Sequence, residues 1–191
     1  TIKLKKYCKS RNIKILEDAS ESLGSFYNSG IHTGLMGDLG CLSFNANKII
    51  TTGAGGMIIT NNKKYANKAF YLSTQAKDDP FNFVHNDIGY NTRLNNLNSA
   101  VGLGQIKNIS KILKKKKKIY EYYKYQLSGL KNIHFINNST FGKSNNWLIS
   151  IKLKKINKRA KIIESFLNNG IDVRPLWYPN HLQKKMKIYF K

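Results

Sequence analysis

The sequence predicts an α/β protein whose sheet carries a ligand site at its strand ends, followed by a smaller α+β region. Short apolar runs alternate with helical patterns through residues 1–129, an arrangement that builds a sheet flanked by helices. Strand-like runs surround a single helix after residue 130. The 191 residues are 41% hydrophobic and 12% aromatic, which suffices for a buried core and argues against a disordered chain.

Three short apolar runs in the first half are suited to buried strands. Residues 13–16 lead to Glu17 and Asp18, residues 41–44 follow a loop rich in Gly and Ser, and residues 57–60 follow a glycine-rich turn. Runs of this length between turn residues are typical of sheet strands. Asp18 therefore stands at the carboxyl end of a strand, where α/β sheets bind ligands.

Helices are predicted before and after these strands. Residues 2–11 have the pattern of a helix end, residues 62–73 form a helix, and residues 95–129 form one or two more. The intervening residues 74–92 are predicted to be irregular, with a turn at the acids before Pro80.

The remaining chain is predicted to form a separate subdomain. Residues 134–136, 147–151 and 171–174 have strand-like patterns, and residues 157–168 form a helix. We place residues 1–129 in a large domain with its connecting helices and residues 130–191 in a small C-terminal α+β subdomain.

The formal net charge of +23, from 33 basic and 10 acidic side chains, raises nucleic acid as a partner. Only four of the basic residues are arginine, the residue that bidentate recognition of bases and phosphates favours. Lysines occur throughout the chain, and the run at residues 114–118 suits a solvated helix face. We expect neither a nucleic-acid nor a membrane partner, and keep a basic nucleic-acid-binding protein as the alternative outside enzymes.

Cysteines and apolar segments limit the class of protein further. Cys8 and Cys41 are too few for a disulfide framework or a zinc site of ordinary spacing, so we expect no metal. No apolar stretch reaches about 18 residues, and we expect a cytoplasmic protein. The chain opens at Thr1 within a helical pattern, from which we expect an absent upstream portion.

Asp18, Ser43 and Lys48 together match the needs of pyridoxal phosphate (PLP). This cofactor needs a lysine amine to bear it, an acid to keep its pyridine nitrogen protonated and donors for its phosphate. Each residue also has a structural reading, since Lys48 could be a surface lysine, Asp18 a helix N-cap and Ser43 a polar position in a half-buried strand. The three in this order supply one group for each need.

Six segments resemble, in amino-acid sequence, the DegT/DnrJ/StrS-type sugar aminotransferase family. These segments are EDASESLGS (17–25), GDLGCLSFNANK (37–48), TTGAGG (51–56), STQAK (73–77), GYNTRL (89–94) and RPLWYPNH (174–181). The resemblance implies a fold-type-I PLP-dependent transferase like aspartate aminotransferase, of which this chain holds the later part. It also implies a homodimer with shared active sites.

The resemblance implies roles for five residues. Lys48 would bear the cofactor and, once released, act as the base. Asp18 would pair with the pyridine nitrogen, Ser43 would bind the phosphate, and Glu21 would lie near the phenolic oxygen. Asn91 would reach the phosphate in the neighbouring subunit.

Three further residues are substrate candidates with alternatives. Arg93 is expected to approach the substrate's diphosphate, to support the interface or to form a structural salt bridge. His85 and His181 would line the sugar pocket, although a lone histidine is more often structural. The chain departs from the family pattern at Ala54, Thr92 and Asn95, and Asn95 puts the start of the following helix in doubt.

The resemblance implies amino transfer, with glutamate as the expected donor, to a keto group of a 4-keto-6-deoxy nucleotide sugar. The sequences of these segments are similar to those of enzymes that make a UDP-4-amino-4,6-dideoxy-N-acetylhexosamine of the legionaminic-acid or bacillosamine type. A GDP-linked sugar of the perosamine type and a 3-keto sugar remain alternatives. The family's phosphate-binding turn and ring-stacking aromatic are not found in this chain, so we expect the 191 residues alone to be inactive.

Overall fold

The computed structural model describes residues 2–136 and 140–189 and divides the chain into two compact units. The first unit combines the residues up to Gly129 with Phe135–Ser150, and the second combines Leu130–His134 with the residues from Ile151 onward. In this chain residues 135–150 therefore group with the first unit. The predicted domain boundary at residue 130 stays a prediction for the complete protein.

Five α-helices and nine strands make up the described chain. The helices are α1 (Ile2–Ser10), α2 (Lys63–Ser73), α3 (Asn96–Ile106), α4 (Ile109–Leu127) and α5 (Arg159–Asn168). The strands are β1 (Leu16–Asp18), β2 (Phe26–Tyr27), β3 (Leu39–Ser43), β4 (Gly56–Ile59), β5 (Lys77–Asp79), β6 (Val84–His85), β7 (Ile133–Phe135), β8 (Gly142–Lys143) and β9 (Ile151–Leu153). Short 3-10 helices cover Ile156–Lys158, Asn180–Leu182 and Lys187–Tyr189.

The central sheet of the first unit is mixed and has the strand order β1-β3-β4. β1 runs parallel to β3 with Asp18 opposite Cys41, and β3 runs antiparallel to β4 with Ser43 opposite Gly56. The carboxyl ends of β1 and β3 therefore lie at one edge of the sheet. The other strands pair as β2 with β8, β5 with β6 and β7 with β9.

The hydrophobic core of the first unit lies next to the turn that follows β3. Its buried members come from the sheet, from that turn and from a distant segment; they are Ala19, Leu42, Phe44, Ile49, Ile50 and Trp147. Ile109, Ile112 and Leu113 of α4 pack against this cluster. The burial of these side chains, at about 25 cal/mol per Å² of apolar surface, fixes the turn on the sheet.

Asparagine side chains define where two helices begin. The Asn62 carbonyl oxygen accepts a hydrogen bond of 2.9 Å from the Lys64 N–H at the start of α2. The Asn95 oxygen accepts one of 2.8 Å from the Asn98 N–H at the start of α3. Each satisfies a backbone donor that the first helical turn leaves unpaired. Asn95 thus supplies a cap at the position where the sequence left the helix start in doubt.

One predicted strand begins later than expected and another is wrong, each for a physical reason. Residues 147–150 are predicted to be strand, but β9 begins only at Ile151. The Trp147 N–H bonds to the Asn145 side chain and the Trp147 carbonyl accepts from the Lys116 side chain, so side chains rather than a neighbouring strand bond the Trp147 backbone. Residues 171–174 follow the end of α5, where Gly170 has φ +72° and the Ile171 N–H bonds to the Phe166 carbonyl. This is a Schellman-type closure, and no strand is assigned to these four described residues.

Residues 74–92, predicted to be irregular, contain the hairpin of β5 and β6. The predicted turn acid Asp79 accepts hydrogen bonds from the N–H groups of Phe81 and Asn82, at 2.8 and 3.0 Å.

Across the described ranges, no helix is both long and apolar enough to cross a membrane.

Candidate active site

Lys48 lies in a tightly bonded turn between β3 and β4. The Phe44 carbonyl accepts hydrogen bonds from the Thr52 N–H at 3.0 Å and from the Thr51 hydroxyl at 3.1 Å, while the Phe44 N–H donates to Gly55. Gly55 has φ +93°, a backbone conformation that favours glycine. Gln105 of α3 bonds both backbone groups of Thr51, at 3.1 and 2.6 Å. The turn is therefore fixed on both of its flanks.

The amine of Lys48 is held in a confined place rather than in solvent. Its side chain is 14% exposed, in contrast to the solvated lysine that the structural reading allowed. Its Nζ atom lies 3.4 Å from Oε1 of Glu21 and 4.1 Å from the centroid of the Trp147 ring. An amine that is fixed and partly removed from water is suited to act as a nucleophile or a base.

Asp18 ends β1 with an exposed carboxylate. Hydrogen bonds from the Ser20 hydroxyl and then from the Ser20 N–H lower the pKa of Asp18; burial opposes this slightly, and the positive charge of Lys48 lowers it further. Asp18 therefore stays ionised at neutral pH. An ionised carboxylate is what a protonated pyridine nitrogen needs as a partner.

Ser43 ends β3 at the same sheet edge as Asp18. Its hydroxyl oxygen accepts an exposed hydrogen bond of 3.3 Å from the Asn45 N–H. A hydroxyl that accepts one hydrogen bond still has its own proton to donate to an anion. The donor set of a lysine amine, an ionised acid and a hydroxyl at one sheet edge fits PLP.

The neighbouring Glu17 organises the loop around the site. Its two oxygens accept from the Gly37 N–H at 2.6 Å, the Tyr27 hydroxyl at 2.8 Å and the Gly34 N–H at 3.1 Å. Burial raises the pKa of Glu17, but these hydrogen bonds together outweigh burial, so that its pKa lies below the ordinary value. Glu17 thus anchors the loop, while Asp18 is left for the site.

The other predicted residues of the first unit lie around the β5–β6 hairpin. Asn91 forms an exposed bridge with Thr74, the His85 Nδ1 atom lies 2.7 Å from the Gln75 carbonyl, and the Arg93 guanidinium stacks 4.7 Å from the Phe70 ring. Within the described residues, no hydrogen bond or ion pair joins these side chains to Lys48.

His181 belongs to the second unit. It is exposed on the 3-10 helix Asn180–Leu182. Its predicted place in the sugar pocket stays a prediction.

Sequence reasoning missed Asn145 and Trp147. Both are buried, and Trp147 contacts the Lys48 amine although about a hundred positions separate the two residues. A local pattern carries no signal for such a contact.

A family model matches almost the whole of this chain. The model of the DegT/DnrJ/EryC1/StrS aminotransferase family matches residues 2–191. The chain belongs to this family.

Relatives with named activities are similar to this family member over most of its length. The GDP-perosamine synthase of Escherichia coli O157:H7 is 33% identical over 173 residues, which cover 91% of this chain and 47% of that protein. The UDP-4-amino-4,6-dideoxy-N-acetyl-beta-L-altrosamine transaminase of Campylobacter jejuni strain 81-176 is 32% identical over 179 residues, with 91% and 47% covered. The chain spans about half the length of the curated relatives that it matches.

A solved structure supports the fold of this DegT-family chain. PseC of Helicobacter pylori, an aminotransferase involved in the biosynthesis of pseudoaminic acid, superposes with a TM-score of 0.87 at 28% identity. The match covers 97% of this chain and 51% of PseC. The predicted fold class is therefore confirmed for the part of the family fold that this chain spans.

Proposed function

We propose that the complete protein is a PLP-dependent aminotransferase that transfers an amino group to the keto group of a nucleotide-linked deoxysugar. The observation that carries this proposal is the Lys48 amine, which is fixed by the β3–β4 turn at the sheet edge that also presents Asp18 and Ser43. Membership of an aminotransferase family selects amino transfer from the reactions that such a lysine serves.

The three residues would hold the cofactor by different groups. PLP supplies an electron sink when it is bound. The Lys48 amine would bear it, the Asp18 carboxylate would keep the pyridine nitrogen protonated, and the Ser43 hydroxyl would donate to the phosphate. Glu21, whose carboxylate lies 3.4 Å from the Lys48 amine, would lie near the phenolic oxygen.

The proposed substrate is a 4-keto-6-deoxy nucleotide sugar, and the proposed donor is glutamate. The two named relatives have similar sequence identity to this chain, but their names give different nucleotide carriers, GDP in one and UDP in the other. The segment at residues 43–53 favours a UDP-linked N-acetylhexosamine for this protein, and Arg93, His85 and His181 remain the candidates for sugar or diphosphate contacts. The product would serve a surface polysaccharide or glycan, made in the cytoplasm.

The proposal includes a homodimer that shares its two active sites. The β5–β6 hairpin exposes large apolar side chains, including Phe81 at 88% and Phe83 at 69%. A concentrated apolar surface of this kind suits a protein interface. Asn91 at the base of the hairpin would then reach the neighbouring subunit's phosphate group.

A substrate panel tests this function. The protein expressed from its complete coding sequence is loaded with PLP and given glutamate with UDP-linked or GDP-linked 4-keto-6-deoxy sugars, and products are identified by mass spectrometry. We expect the amino sugar from the UDP-linked substrate and none from a Lys48→Arg variant. Formation of the GDP-linked product alone would move the assignment to the perosamine type. No amino sugar from any carrier would refute the proposed function.

A further inference from the structure

Asn145 bonds the two segments that flank the Lys48 amine. Its side-chain nitrogen donates to the carbonyls of Glu21 at 2.9 Å and Leu23 at 3.0 Å. Its side-chain oxygen accepts from the Trp147 N–H at 3.0 Å. The residue is 6% exposed, so these bonds are shielded from competing water. One buried amide therefore fixes the backbone of both Glu21 and Trp147.

Trp147 bonds the turn that carries Lys48. Its ring nitrogen donates a hydrogen bond of 2.6 Å to the carbonyl of Asn47, the residue directly before Lys48. Its own carbonyl accepts one of 3.2 Å from Lys116 of α4. The ring is thus held at its indole edge and at its backbone, while the Lys48 ammonium lies over its face.

The face of an indole ring attracts an ammonium without forming a directional hydrogen bond. The attraction comes from the ring quadrupole and strengthens when the pair is shielded from water. Trp147 is 8% exposed, which meets that condition. A carboxylate offers a directional partner instead, and Glu21 provides it on the other side at 3.4 Å. The amine therefore has a defined resting place between one ring face and one carboxylate.

We propose that Trp147 is a positioning residue, whose ring face holds the Lys48 amine whenever that amine is not bonded to the cofactor. The hydrogen bonds of Asn145 keep Trp147 and Glu21 in fixed positions on either side of the amine. The meaning of this device for catalysis rests on the proposed function, because an amine that leaves and returns to the cofactor needs a fixed place nearby.

Competitive labelling of the cofactor-free, full-length protein tests this inference. A brief pulse of acetic anhydride at fixed pH acetylates amines, and peptide mass mapping gives the ratio of label on Lys48 to label on the exposed Lys64. The Trp147→Met variant keeps apolar bulk but removes the ring face, whereas Trp147→Phe keeps a ring face and removes the bond to Asn47. Circular dichroism melts establish that each variant is folded.

We expect Trp147→Met to raise the labelling ratio about 30-fold, the fold-change that corresponds to a shielded cation–π contact of about 2 kcal/mol. Trp147→Phe is expected to stay within about twofold of the unaltered protein. An unchanged ratio in the Met variant would overturn the inference. An equal rise in the Phe variant would also overturn it, because the Asn47 bond would then be the part that matters.

Asn145→Leu provides a second variant if Trp147→Met does not fold. It has a similar volume and adds no charge near Lys48, but it removes the donors to Glu21 and Leu23 and the acceptor of the Trp147 N–H. The labelling ratio should therefore rise, and no rise in a folded Asn145→Leu variant would contradict the proposed role of Asn145.

A cofactor measurement separates this inference from the proposed function. Absorbance follows the rate at which PLP is captured by the cofactor-free protein, and the KM for the sugar is measured alongside. We expect Trp147→Met to slow capture and lower kcat while KM stays the same, which a merely structural defect would not do selectively. If the unaltered protein captures no PLP, the proposed function fails, whereas the labelling ratios still decide the role of Trp147.

Discussion

The Nζ atom of Lys48 lies 3.4 Å from Oε1 of Glu21, and the lysine side chain is 14% exposed while the glutamate side chain is 48% exposed. A pair with one partner in solvent contributes about 0–1 kcal/mol to stability. Glu21→Gln should therefore change the free energy of unfolding by less than about 1 kcal/mol. Loss of the carboxylate beside the amine should weaken PLP binding about tenfold, by analogy with residues that orient a bound group. Denaturant titration and equilibrium dialysis measure the two effects, and a large stability loss with normal PLP binding would contradict a site role.

Asp18→Asn should reduce kcat of the full-length enzyme while leaving it folded. The change replaces a charge-assisted hydrogen bond, worth about 1.5–3 kcal/mol, and so predicts a loss of about 10- to 150-fold. The control is Asp87→Asn, which removes an exposed acid paired with Lys68. Equal activity of the two variants would contradict the assignment of Asp18 to the cofactor site.

Ser20→Ala tests the electrostatics of Asp18 separately. Its hydroxyl is the largest cause of the lowered pKa of Asp18, so its removal should raise that pKa toward the ordinary value. The acidic limb of the pH profile for PLP binding should then move to higher pH. A limb that moves to lower pH, or does not move, would contradict this assignment.

Glu17→Gln should destabilise the loop around the site by about 1–2 kcal/mol, since hydrogen bonds to a charged group are lost from a partly exposed position. The folded-state pKa of Glu17 lies below its ordinary value, so its contribution is present above the unfolded-state pKa and is lost as pH falls through the folded-state value. The difference in stability between the two proteins should therefore be constant near neutral pH and shrink below about pH 4.5. Denaturant unfolding at a series of pH values measures this, and a difference that grows on acidification would have the wrong sign.

Phe81→Asp should dissociate the proposed homodimer. Burial of a phenylalanine side chain contributes about 1.5–3 kcal/mol and counts twice in a two-fold interface, so the dissociation constant should rise about 100-fold or more. Ile156→Asp is the matched control, because Ile156 is 75% exposed outside the hairpin. Sedimentation equilibrium distinguishes the two, and a dimer that tolerates Phe81→Asp would place the interface elsewhere.

The sequence was informative where short-range chemistry decides the structure. The predicted runs at residues 41–44 and 57–60 overlap β3 and β4, and the run at residues 13–16 ends at Leu16, where β1 begins. Lys48 and Asp18 are predicted as site residues because the segments around them resemble the family.

The position of Trp147 in the site depends on contacts between residues that are distant in the sequence. Trp147 opens an apolar run that has a strand pattern, but its N–H and carbonyl are satisfied by the side chains of Asn145 and Lys116. The contact of its ring with Lys48 follows from packing on the core cluster. No periodicity in the sequence encodes either feature.

The measurement that tests the central claim most directly is covalent trapping of the cofactor. The full-length protein is incubated with PLP and reduced with borohydride, and the pyridoxyl group is located by peptide mass mapping. We predict label at Lys48 alone, because its amine is confined between Glu21 and Trp147 in the turn that follows Ser43, and none in Lys48→Arg. No label, or label spread over the exposed lysines, would contradict the assignment of this site.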